Sequence, residues 1–321
     1  MALGQDVDKM KFGFVAMHPG SANALSPIIE KLTDGINEIH LFPVSAYAKN
    51  LWKTSAVYNN KKSITNLIPK DLDFLLYSPV GGIESEINLV NHCKENNITS
   101  IAVLDIFWNS NTELRKRFLT QPDIIITPDE STAIQLKQIG VASEIHALGN
   151  PWFKVNTYYK PSSKIKSIAF ISVPVGLSNE CRTHIKTLDV LRKIIDNDRL
   201  LIDLESIVIC KHPRELDTDI VELINKSNTK LNLELNNKFN TTDACSSVDA
   251  VVGVNSTVLV EEFLKGNNVI FHSSIEETIH LLNNPQFISH YNEDIQVVPD
   301  ALNNIVGLMV SKLHRSKSLA Y

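Results

Sequence analysis

Two stretches of this sequence carry groups that can hold an anion. One is Lys211-His212-Pro213, which closes the apolar run Ile207-Val208-Ile209-Cys210. The other is Gly253-Val254-Asn255-Ser256-Thr257, which closes a second apolar run and leads straight into the helical pattern at 258–265. An ammonium and an imidazole at one strand end supply charge and donors. Free N–H groups and the positive end of a helix supply more of both at the other. Loops at the carboxyl ends of parallel strands are where open α/β sheets bind ligands. Ser256 and Thr257 also suit plain helix capping, and His212 suits merely ending a strand. Glu261 and Glu262 lie on the helix that follows, where one carboxylate can accept from ligand hydroxyls or both can face solvent.

A second set of residues can exchange protons. Asp105 ends the apolar run 98–104, His18 follows the run 11–17, and Glu84 opens a helical pattern. Histidine titrates in the range a base needs. Asp105 equally suits a helix cap or an ion pair with Arg115 or Arg117, and the helix dipole favours Glu84 whatever its role. Ser78, Gly81 and Gly82 form a small-residue loop that admits a ligand closely. The histidines show no His-x3-His spacing, and no metal site is expected.

These groups need a scaffold, and the apolar pattern describes one. Short β-branched runs bounded by turn residues alternate with helical spacing through residues 11–150, and the rhythm resumes from 167. That predicts parallel, doubly wound sheets. The His18–Asn23 stretch reads as a loop, with its helix beginning at Ala24. Residues 154–166 are polar, contain Pro161-Ser162-Ser163, and read as a linker. The expected division is 1–153, linker 154–166, 167–300, and a terminal amphipathic helix at 301–321 that packs near the linker or crosses back to the first domain.

Composition bounds the rest. A chain of 321 residues accommodates two domains. The net charge of −5 gives no reason to expect a nucleic-acid partner. Cys93, Cys181, Cys210 and Cys245 have no CxxC spacing and read as reduced thiols, which suits the cytoplasm. There is neither a signal-peptide pattern nor an apolar stretch of membrane-spanning length.

Lys211-His212-Pro213 followed by Gly253–Thr257 and Glu261 resembles the nucleotide-binding half of GT-B glycosyltransferases. The likeness is to bacterial sialyltransferase-like and capsule or lipopolysaccharide sugar transferases. Val103-Leu104-Asp105, Trp108-Asn109, Arg117-Phe118, Pro122-Asp123 and Gly149-Asn150-Pro151 are similar to the first half of lipid-A-disaccharide-synthase-like and epimerase-like GT-B proteins. The resemblance implies two Rossmann-like domains facing a central cleft. It implies a CMP- or UDP-linked sugar as donor, with the His-Pro pair leaning to cytidine, and no further cofactor. A glycan or lipid-linked acceptor follows, together with peripheral membrane association. The chain departs from the family in having no Asp/Glu-Asp-Gly motif. Its second half also has no Glu-x7-Glu pair.

Sugar transfer has an anionic leaving group and an acceptor hydroxyl that must lose a proton. In that scheme Lys211, His212, Pro213, Gly253, Asn255, Ser256, Thr257 and Glu261 hold the nucleotide. Asp105, His18 or Glu84 is the base, and Ser78, Gly81, Gly82, Trp108 and Asn109 line the acceptor side. A non-hydrolysing nucleotide-sugar 2-epimerase shares the fold, but its chemistry asks for several acids and bases, and few are evident. A non-catalytic nucleotide-binding protein is the third alternative.

Overall fold

The computed structural model describes residues 9–35, 37–54, 61–79, 84–105, 111–153, 163–173, 187–212, 215–236, 241–254, 256–289 and 297–318. The chain divides into two compact units: residues 1–152 with 296–321, and residues 153–295.

In the first unit strands and helices alternate: β1 (Lys11–Ala16), α1 (Pro19–Thr33), β2 (Glu38–Pro43), α2 (Ala46–Leu51), β3 (Phe74–Tyr77), α3 (Glu84–Glu95), β4 (Thr99–Val103), α4 (Asn111–Arg117), β5 (Ile124–Thr127), α5 (Glu130–Gln138) and β6 (Glu144–Ala147). The six strands form one sheet in the order β2-β1-β3-β4-β5-β6, every pair parallel. Strand residues alternate between two apolar cores. Phe12, Phe14, Phe74, Leu76, Ile101 and Val103 pack with α1 on one face. Val15, Leu75, Tyr77, Ala102 and Ile125 pack with α3 and α5 on the other. Burial on both faces explains why β3 and β5 read as unbroken apolar runs.

The second unit contains β7 (Ser167–Ile171), α6 (Thr187–Asp196), β8 (Ser206–Cys210), α7 (Asp217–Lys226), β9 (Asn232–Leu235), α8 (Thr241–Ser246), β10 (Ala250–Gly253), α9 (Thr257–Leu264), β11 (Val269–Phe271) and α10 (Ile275–Asn283). Its five parallel strands run β11-β10-β7-β8-β9. The last helix, α11 (Ala301–Ser318), belongs to the first unit. Its Ile305 and Met309 are buried in the core that α1 covers. Gly149, at φ +91°, faces this returning segment, and a Cβ there would stand 2.8 Å from that of Ala301.

Both strand orders reverse direction once. The reversal falls between β1 and β3 in the first unit and between β7 and β10 in the second. Neighbouring loops leave the sheet on opposite faces at such a point, which opens a crevice at the carboxyl ends.

One local expectation fails. The His18–Asn23 stretch is no loop: α1 begins at Pro19. Proline is pre-organised for the first helical position, where its missing N–H costs nothing. His18 is the N-cap, its ring accepting from the Ser21 N–H. Glycine and small residues that look loop-like are therefore the first turn of a 15-residue helix.

Candidate functional site

Beside the first unit's reversal point three polar residues stand at the carboxyl ends of the neighbouring strands β1, β3 and β4. Parallel register sets Val15 of β1 against Tyr77 of β3, and Tyr77 against Ala102 of β4. Ser78 therefore leaves the sheet one residue past these pairs, and His18 and Asp105 each three past. His18 Nδ1 lies 3.7 Å from Asp105 Oδ2. Asp105 is only 3% exposed, and its Oδ1 has no hydrogen-bond partner among the described residues. Ser78 is 1% exposed, and its Oγ likewise has none. A buried carboxylate oxygen and a buried hydroxyl with no partner among the described residues are costly unless another group, a ligand or water completes them.

The surroundings hold Asp105 in place. A Cβ on Gly20 would stand 2.1 Å from Asp105 Oδ2, so the carboxylate packs directly on the helix backbone at the start of α1. The positive end of that helix favours the anion. Asn150, itself buried, donates from Nδ2 to the Asp105 carbonyl at 3.2 Å and accepts from the Trp152 N–H at 3.0 Å. The Ser78 carbonyl accepts from Ser21 Oγ at 3.3 Å. Arg117, one of the ion-pair partners considered for Asp105, instead donates to the Pro79 carbonyl. Glu84 is exposed at the start of α3. Gly81, Gly82, Trp108 and Asn109 lie outside the described residues.

In the second unit the loop residues sit at strand ends. Gly253 ends β10, packed against Leu259 and the Ile171 carbonyl. Ser256 caps α9, its hydroxyl accepting from the Val258 N–H at 3.3 Å, and Thr257 is the first helical residue. Glu261 is half-buried on that helix. Its neighbour Glu262 is fully buried and holds Lys265 at 2.6 Å together with the Asn267 amide. Lys211 follows β8, but its ammonium is engaged by Asp217 at 2.8 Å and by the Glu215 carbonyl at 3.2 Å. Its charge is thus shared before any ligand arrives. His212 is half-buried, and Pro213 and Asn255 lie outside the described residues.

Glu215 organises this end of the sheet. Oε1 accepts from Ser172 Oγ at 2.7 Å, just past β7, and Oε2 accepts from the His212 N–H at 2.7 Å, just past β8. One carboxylate thus ties two central strand ends together. A groove of about 760 Å³ begins here at Val173, Thr187 and Glu215, then runs out along charged residues of α6 and α7 such as Arg192 and Glu222. Beyond β11, His272 is buried with Nδ1 2.7 Å from Thr278 Oγ1. Burial, with a smaller contribution from the Lys193 charge, lowers its pKa, against the opposing pull of Glu276 and Glu277.

No protein-family model matches the sequence, and no curated protein matches it significantly. Solved structures do match in shape. A UDP-GlcNAc 2-epimerase from Neisseria meningitidis, bound to UDP-GlcNAc, superposes with a TM-score of 0.69 at 13% identity, over 94% of this chain and 100% of that one. S. aureus MnaA with UDP gives 0.67 at 12% identity, over 95% and 97%. Acinetobacter baumannii MurG gives 0.53 at 9% identity, over 94% and 99%. The fold is GT-B.

Within this GT-B chain, sequence reasoning missed Glu215, Gly20 and His272, and quoted Asn150 only within the Gly149-Asn150-Pro151 likeness. Pattern reading has no access to the roles of Glu215, Gly20 and Asn150, because their partners come from other strand ends. His272 had a weak signal: it follows a β run directly, at the same kind of strand end as His212. Among the described residues no group of three or more His, Cys, Asp or Glu is placed to hold a metal ion. No described helix is long and apolar enough to cross a membrane.

Proposed function

We propose that this chain is an enzyme acting on a UDP-activated sugar, and that its reaction is 2-epimerisation of a UDP-N-acetylhexosamine. The observation that carries the proposal is the buried Asp105 carboxylate, set beside His18 next to the reversal point of the first sheet and with no partner for Oδ1 among the described residues. Support for the substrate class comes from the two UDP-containing neighbours, which match over nearly the whole chain. These also favour uridine over the cytidine to which the His-Pro pair leans. Sequence motifs alone put sugar transfer first. The better match to a 2-epimerase than to MurG moves epimerisation ahead.

The chemistry divides between the two sets of residues. Epimerising C2 means removing its proton and returning one to the other face. That proton becomes removable as the bond from the anomeric carbon to the diphosphate breaks. Asp105 takes the proton, and His18 beside it shares the charge change. The amide end of α9, with Ser256, Thr257 and His212, holds the departing diphosphate, which re-forms its bond to the anomeric carbon as a proton is delivered to the opposite face of C2.

Transfer to an acceptor hydroxyl is the second reading, and one observation favours it. Asp105 and His18 are adjacent, so they offer one proton-exchange locus. Transfer needs one base, whereas inversion at C2 needs proton exchange on both faces.

Incubation with UDP-GlcNAc in deuterium oxide separates the two. Deuterium at C2 together with the 2-epimer supports epimerisation. UDP release that depends on an added sugar acceptor, without exchange at C2, supports transfer. Binding of UDP with neither outcome would reject both in favour of a non-catalytic nucleotide-binding protein.

A further inference from the structure

Cys210 and Cys245 play no part in the chemistry above, yet the fold brings them together. Cys210 is the last residue of β8, and Cys245 lies in the last turn of α8. They share one apolar cluster with Ala169, Ile171, Val251 and Leu259, at 2% and 1% exposure. Neither is in a disulfide. The largest influence on the acidity of each thiol is the other thiol. Asn236, fixed by its own N–H to the Ile209 carbonyl at 2.9 Å, also donates from Nδ2 to Cys210 Sγ at 3.7 Å.

We propose that Cys210 and Cys245 form a reversible dithiol–disulfide site at the root of the Lys211–His212 loop, with a small peroxide as its oxidant. The site is asymmetric. Asn236 Nδ2 donates to Cys210 Sγ at 3.7 Å, and a donor on that sulfur favours its thiolate. Cys210 is therefore the attacking sulfur and Cys245 the resolving one. The Cys210 thiolate attacks one peroxide oxygen. The O–O bond breaks, one water leaves, and Cys210 becomes a sulfenic acid. The Cys245 sulfur then attacks the Cys210 sulfur. The S–O bond breaks, and a second water carries off the Cys245 proton. Two thiols lose two electrons and two hydrogens, and one hydrogen peroxide becomes two waters.

Forming the bond requires the sulfurs to close to about 2.05 Å, a movement within the one buried cluster that both side chains share. The buried, apolar setting admits a small oxidant better than a bulky disulfide. The product cross-links β8 to α8 one residue before Lys211, and a dithiol reductant reverses it.

The test is peptide mapping of the full chain after brief hydrogen peroxide treatment, with free thiols alkylated under denaturing conditions. The expected result is the loss of two of the four alkylatable cysteines, a linked Cys210–Cys245 peptide pair, and full recovery with dithiothreitol. In Cys245→Ser the sulfenic acid at Cys210 should persist and be captured by dimedone, which wild type should escape. Linkage of Cys210 to Cys181 or to a second chain, or both thiols remaining alkylatable, would overturn the proposal. Should Cys245→Ser fail to fold, the wild-type map decides alone.

Discussion

His18 Nδ1 stands 3.7 Å from Asp105 Oδ2 while accepting a hydrogen bond from the Ser21 N–H at 3.2 Å. The two contacts need different forms of the ring. With a lone pair on Nδ1 the ring caps α1. With a hydrogen on Nδ1 it can only donate there, and Asp105 Oδ2 is the carboxylate oxygen beside it. Moving a hydrogen onto Nδ1 thus exchanges a helix-cap contact for one with the proposed catalytic carboxylate.

Asp105→Asn should leave UDP affinity unchanged by calorimetry while turnover falls by about 10²–10⁴, the usual contribution of a general base. The side chain keeps its shape and loses only its capacity to take a proton. A loss below about tenfold would transfer the role to His18. Glu84, exposed at the start of α3, would come next.

Gly20→Ala places a methyl group 2.1 Å from Asp105 Oδ2. The carboxylate or the helix start must move, at a cost of about 1–3 kcal/mol for overpacking. The expected result is a lower melting temperature and a disproportionate loss of turnover. Adding Asp105→Ala should restore the melting temperature but not the activity. If the double variant melts no higher than Gly20→Ala, the clash lies elsewhere.

Glu215→Ala removes one acceptor each from Ser172 Oγ and the His212 N–H. Ser172 Oγ keeps Thr187 Oγ1 at 3.3 Å, so the cost is that of exchanging charge-assisted bonds for weaker ones, about 1–3 kcal/mol in all. The urea midpoint should fall, and UDP affinity should fall with it because the β7 and β8 ends are no longer tied. Stability lost without any change in affinity would confine Glu215 to a structural role.

His272 gives a pH dependence of definite sign. Its pKa in the folded chain is lowered, chiefly by burial, so the unfolded chain binds the proton more readily. The contribution is fully present above the unfolded value near 6.5. It is lost as pH falls from there through the lowered folded value. Melting temperature should therefore drop through that acid window in wild type. His272→Gln, which keeps a side-chain polar group for Thr278, should drop less. Parallel curves for the two proteins would remove His272 as the cause.

The architecture was legible in the sequence because strands buried on both faces must be apolar throughout, and those runs sit between helical patterns. Local rules failed where a residue serves two descriptions. His18-Pro19-Gly20 has loop composition, yet proline at N1 and a capping ring make it a helix start. Asp105 and His18 could be nominated from their strand ends, but only parallel register puts them side by side. Glu215 was invisible because its partner Ser172 is 43 residues away along the chain. Lys211 looked like a free cation because Asp217, on the next helix, has no sequence signal that marks it as a partner.

The burial of Ile305 and Met309 beneath α1 also sets an order of events during synthesis. The first unit's sheet leaves the ribosome well before α11, with the whole of residues 153–295 made in between. At the usual ~5–20 residues per second, that interval is on the order of ten seconds or more. For that time the seats of Ile305 and Met309 stand open to water, and the face beside Gly149 lacks its covering segment. The nascent first unit is then at its most exposed to chaperones and to aggregation, and it closes only after the second unit has been made.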